Sequence, residues 1–151
     1  MKNRKLTTPH KNDKRPIAKF YRSWLQDVEH GVAENKCRGI NCEQYRAADR
    51  LASNYQRAFM SGGWNVNEIQ IKKDYFRNHR TEVQVQTLKD HNHTFNQLGA
   101  KSQQIIEHFC LNELTMRQYE LKQVPQWPKG AGTARLREAL DELIEVYRKV
   151  G

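Results

Sequence analysis

Three sets of residues in this chain have side chains capable of chemistry. The first holds thiols and imidazoles: Cys37 and Cys42, His91 and His93, and His108 near Cys110. Zinc needs such ligands in pairs at repeating spacing, and no second pair repeats here, so no metal site is expected. Cys110 beside Phe109 reads instead as a small core hydrophobe. His91 and His93 point to different sides of a helix, so at most one can join a site, and a polar surface role is expected for them. The second set is acidic: Glu138, Asp141, Glu142 and Glu145. Their mixed spacing fits a solvated helix face better than paired catalytic carboxylates. No nucleophile elbow, phosphate-cradling loop or zinc-protease motif accompanies them, so neither enzymatic activity nor a cofactor is expected.

The third set is cationic. Lys129, Thr133, Arg135 and Arg137 gather where the last apolar period begins, and the acids follow further along. That order opposes the helix macrodipole, which favours acids first and bases last. A recognition helix accepts this cost, because its first turn meets phosphates and base edges in the major groove. A solvated face with internal salt bridges is the alternative, and the charges alone leave both open. A second cationic group, Lys2, Arg4, Lys5, Lys11, Lys14 and Arg15, faces only Asp13 and carries +5 of the chain's net +9. It is expected to add sequence-independent phosphate contacts, with a merely solubilising tail as the alternative.

The elements that must position these residues are helical. Residues 1–16, with Pro9 and Pro16 and many like charges, predict a disordered basic arm. Over 17–36, Ile17, Phe20, Tyr21, Trp24, Val28 and Val32 recur at helical spacing, with Gly31 weakening the second half. The Phe20, Tyr21 and Trp24 stripe fits either the core, the commoner fate of such stripes, or a docked partner. Asn41 and Gln44 are placed as a capping box for a helix with Tyr45, Ala48, Leu51, Ala52, Tyr55 and Phe59 on one face, ended by Ser61, Gly62 and Gly63. Residues 64–80 read as an irregular connection. Thr81 and Gln84 then cap a helix whose stripe is Val85, Leu88, Asn92, Phe95 and Leu98, narrow enough to suit a seam inside the domain or across a homodimer.

Ser102 is placed as the cap of a short helix carrying Ile105, Ile106, Phe109 and Cys110. Thr115 caps the next, with Met116, Tyr119 and Leu121 inward. After the Pro-Trp-Pro turn, a last helix starts from Thr133 with Leu136, Leu140, Leu143, Ile144 and Tyr147 as its core face. The last two helices form a helix-turn-helix candidate whose connection of about nine residues exceeds the usual three or four.

Two blocks carry a family resemblance. INCEQYRAADRLASNYQRAFMSGG contains Arg46, Ala47, Ala48, Arg50, Leu51, Tyr55, Arg57 and Ala58; the block from Lys101 to Tyr147 ends on Gly132, Leu136, Ala139, Leu140, Leu143 and Tyr147. In that order they resemble the alphaproteobacterial domain at the C-terminus of gene transfer agent activators and related phage regulators. The second block is also similar to the C-terminal DNA-binding region of sigma factors. The resemblance spans roughly residues 40–150 and implies a transcription regulator that binds DNA, RNA polymerase or both. The long Pro-Trp-Pro-Lys-Gly turn departs from the sigma pattern, as do Tyr119 and Glu120 where a small residue is expected.

The expectation is therefore an all-α protein of five to six helices, with a basic arm (1–16), an amphipathic helix (17–36) and a helical DNA-binding-like domain (40–151). With the resemblance, the expected function is that of a cytoplasmic, DNA-associated transcription regulator of phage or gene-transfer-agent type. An adaptor on RNA polymerase and a phage DNA-packaging component are the alternatives. Three cysteines and the lack of any long apolar run speak for a reducing, non-membrane setting.

Overall fold

The computed structural model describes residue 9 and residues 11–59 and 82–150, and among these it is all-α. Among the described residues there are six α-helices: α1 (Pro16–Glu29), α2 (Cys42–Phe59), α3 (Glu82–Asn96), α4 (Ala100–Ile106), α5 (Met116–Lys122) and α6 (Ala131–Val150). A short 3₁₀ turn, Glu34–Lys36, lies between α1 and α2, and α4 continues as a π-helical turn over Glu107–Leu111. The connection expected over 64–80, the Thr81 cap and the Ser61 to Gly63 stop lie outside the described residues, as does most of the arm.

Helix α1 begins with Pro16 in its first turn, where the missing N–H costs nothing. It ends seven residues before the expected limit at Lys36. Gly31 adopts φ +80, and the Gly31 and Val32 amides turn back to the Val28 and Asp27 carbonyls. This is a Schellman ending, so the glycine terminates the helix rather than weakening it. The capping box of α2 forms as expected: Gln44 N–H donates to Asn41 Oδ1 at 2.8 Å, and Asn41 N–H to Gln44 Oε1 at 3.0 Å.

Helix α2 packs against α1, α3, α6 and the π turn. One core joins Ile17 and Tyr21 of α1, Leu51 of α2, Ile105, Ile106 and Phe109 of α4 and its π turn, and Leu136, Leu140 and Leu143 of α6, all at most 1% exposed. Aromatic packing ties α1 in: Tyr21 stacks on Tyr45 at 4.5 Å, and Phe20 meets Phe109 at 4.7 Å.

Three inward faces differ from expectation. In α3, Asn92 is exposed, as are Val83 and Val85, and the buried positions are His91, Thr94 and Leu98. His91 lies between the rings of Tyr55 (5.4 Å) and Phe95 (5.8 Å), so a neutral imidazole fills a slot assigned by period to the next residue. In α4, Gly99 holds the N-cap position and Ser102 is buried inside the helix. In α5, the Thr115 and Gln118 capping box forms and Met116 and Tyr119 are buried, but Leu121 is 44% exposed. Helix α6 starts two residues before Thr133, for a reason that lies in Glu120.

Candidate nucleic-acid interface

The connection between α5 and α6 is an ordered turn built around one carboxylate. Glu120, 2% exposed, accepts at Oε2 from the N–H groups of Gly130 and Gly132, both at 2.8 Å. Its carbonyl accepts from Trp127 N–H at 3.1 Å. Arg117 reaches Glu120 Oε1 and the Trp127 carbonyl, each at 3.4 Å. The Trp127 ring stands edge-on to Tyr119 at 5.7 Å. A carboxylate on two open amides of a helix N-terminus does the work of an N-cap and complements the dipole. That is why α6 begins at Ala131 without a local capping side chain. Gly132 sits directly on Met116 and the Glu120 stem, where a Cβ would collide with the Met116 sulfur. Glu120 and Gly132 thus bring the two helices into contact in place of the small residue expected on the bracing helix.

The basic residues at the start of α6 take different places. Lys129 is exposed at the turn, and Thr133 is half-buried in the first turn. Arg135 donates to Glu138 Oε2 at 3.0 Å and to Ser102 Oγ at 3.4 Å. Arg137 is turned into the fold: its Nε donates to the Gly39 carbonyl at 2.7 Å and its Nη2 to the Cys37 carbonyl at 3.0 Å. These charge-assisted bonds hold the α1–α2 connection on α6. The charge order that suggested a groove-reading helix therefore has an internal explanation for Arg137 and, in part, for Arg135.

The acids following them have internal partners too. Asp141 accepts from Gln44 Nε2 at 3.0 Å. Glu142 accepts from Gly99 N–H at 2.6 Å and Ser102 Oγ–H at 2.7 Å, closing the N-terminus of α4 from another helix. The Ser102 hydroxyl, then the Gly99 amide, hold the Glu142 carboxyl below its usual range. Glu138 and Glu145 keep to a solvated edge beside Arg135 and Arg148.

At the other end, Lys2, Arg4 and Lys5 lie outside the described residues. Lys11 and Lys14 are exposed. Arg15 is anchored between Asp13 (2.7 Å) and Asp49 of α2 (2.8 Å), so the chain is fixed to the core before α1 begins. Asp13 is held below the ordinary carboxylate range by its hydrogen bonds from Arg15. Tyr21 and Trp24 are buried and Phe20 is partly buried against the core, so the aromatic stripe is core and offers no open face to a partner.

Among the described residues no three His, Cys, Asp or Glu side chains gather as a metal site. The cysteines are free thiols; burial pushes Cys110 up to about 12. His108 is also buried, with Nε2 against the Thr115 carbonyl at 2.8 Å. Burial lowers its pKa. No helix among the described residues is long and apolar enough to cross a membrane.

Sequence reasoning missed the roles of Glu120, Arg137 and Glu142. A signal was available for Glu120: an acid in a short helix, shortly before a Gly-x-Gly opening a helix with no capping residue. Compared with protein-family models, with curated proteins and with solved structures, the chain matches none.

Proposed function

We propose that this protein is a DNA-associated transcription regulator of phage or gene-transfer-agent type that holds duplex DNA mainly through its phosphates. The observation that carries this reading is the placement of charge. The chain bears +9, more than half of it before residue 17. At the far end, Lys122 and Lys129 are exposed on either side of the turn that Glu120 fixes. An ordered bihelical unit with cations at its turn, joined to a basic arm, suits sequence-independent attachment by counterion release. Lys2, Arg4, Lys5, Lys11, Lys14 and Lys129 are the proposed phosphate contacts, with Arg135 and Thr133 beside them. Arg15 and Arg137 are left out because their guanidinium groups are held by Asp13 and Asp49, and by Cys37 and Gly39.

One observation favours a second reading, an adaptor for a protein such as RNA polymerase. A groove of about 310 Å³ runs beside the same turn, lined by Trp127, Pro128, Ala131 and Ala134, with Arg135 and Glu138 at its edge. Anisotropy of a labelled nonspecific duplex at 50 and 200 mM salt separates the two. The regulator reading predicts binding that weakens steeply with salt, and a slope about 2.7 units shallower when Lys2, Arg4 and Lys5 are all changed to Ala, at about 0.9 unit per contact. Absence of duplex binding at low salt contradicts it and leaves the adaptor.

A further inference from the structure

The exposed charges of α2 are unevenly distributed. After Glu43, its exposed charged residues are Arg46, Arg50 and Arg57. Its one later acid, Asp49, is occupied with Arg15. At 100° and 1.5 Å per residue, the three arginines fall within about 40° of one another around the helix and span about 17 Å along it. That length matches about five base-pair steps of a duplex. Ser53 falls on the same stripe, and Asn54 and Gln56 flank it, polar side chains able to donate to phosphate oxygens.

The stripe borders a groove of about 330 Å³ between α2 and the end of α6, lined by Glu43, Arg46, Ala47, Arg50, Ile144, Tyr147 and Arg148. Arg148 is engaged there with Glu145 at 2.6 Å and more loosely with Glu43 at 3.7 Å, so the acids of this face gather on one arginine. Arg50 lies with its guanidinium 4.0 Å from the centre of the Tyr147 ring. A guanidinium on an aromatic face is oriented without being neutralised, and its edge donors stay open to an anion. Neither Arg50 nor Arg57 has a carboxylate partner among the described residues.

We infer that the arginine stripe of α2, Arg46, Arg50 and Arg57 beside the Tyr147 groove, is a binding surface for the phosphodiester backbone of duplex DNA. This rests on the regulator reading above and adds α2 to the ordered part of its DNA contact. A nucleic-acid backbone fits better than an anionic membrane, because the stripe projects only charged and polar side chains, while Ala47, Ile144 and Tyr147 beside it are buried or half-buried and project no apolar anchor.

The test uses the full chain and a labelled nonspecific duplex over a salt series. Arg50→Ala/Arg57→Ala is expected to make the slope of log affinity against log salt shallower by about 1.8 units, and to weaken binding on the order of 50-fold at 0.1 M salt. Arg50→Lys/Arg57→Lys keeps the charges and retains most of the slope. Arg57→Ala alone touches no packed ring, keeps the circular dichroism melt, and loses about 0.9 unit. If wild type binds duplex and the Ala variants keep its affinity and slope, this inference is overturned while the regulator reading stands on its arm. If wild type binds no duplex, both fall. Competition by poly-glutamate or by phosphatidylserine vesicles, matched to duplex in charge and equally effective, overturns the assignment to nucleic acid.

Discussion

His91 is the residue whose type says least about its role. A histidine in a polar helix reads as surface, yet this one is 4% exposed, with aromatic rings on both sides and its Nδ1 without a hydrogen-bond partner. Burial lowers its pKa to about 4. In the unfolded chain the value is near 6.5, so between the two the unfolded state binds the additional proton. Stability from this group is therefore fully present above about pH 6.5 and is lost as pH falls from there towards 4. Urea titration should register a loss of about 2 kcal/mol between pH 7 and pH 5 from this group. His91→Phe, which keeps a ring in the slot, should remove that component; an unchanged pH dependence in the variant would assign it to other groups. Nothing in the spacing of α3 distinguishes His91 from Asn92, because the choice is made by Tyr55, a partner on α2.

At the scale of elements, helix starts with local capping signals were legible and those closed from elsewhere were not, while the local stop at Gly31 was underweighted. Asn41 with Gln44, and Thr115 with Gln118, are reciprocal caps within four residues, and both form. The α4 and α6 starts were misplaced by a residue or more because their amides are met by Glu142 and Glu120, carboxylates on other helices. Only the tertiary fold brings those groups together. The α5–α6 turn is where this has the largest consequence. Glu120→Ala leaves two amides at the start of α6 without their acceptor and Arg117 without its carboxylate, a cost of about 3 kcal/mol. The variant should lower the urea midpoint and speed amide exchange at Gly130 and Gly132 first. Loss of midpoint with those two amides still protected would place the effect outside the turn.

Over the whole molecule, the all-α class and most of the core followed from apolar periods in α2, α4 and α6. The site was less legible, because a basic side chain near a helix start has the same sequence signature whether it meets DNA or its own backbone. Arg137 on the Cys37 and Gly39 carbonyls does the latter, and Arg50 on Tyr147 stays open to an anion. In the proposed division of labour Arg137 holds the fold, while the arm, Lys129 and the α2 stripe meet the polyanion. The most direct measurement takes Arg137→Ala and reads both its urea stability and the salt slope of its duplex binding at a temperature where it is folded. The division predicts a stability loss of about 2 to 3 kcal/mol from two missing charge-assisted hydrogen bonds, with the wild-type slope retained. Unchanged stability with a slope shallower by about one unit would contradict it and return Arg137 to the DNA surface.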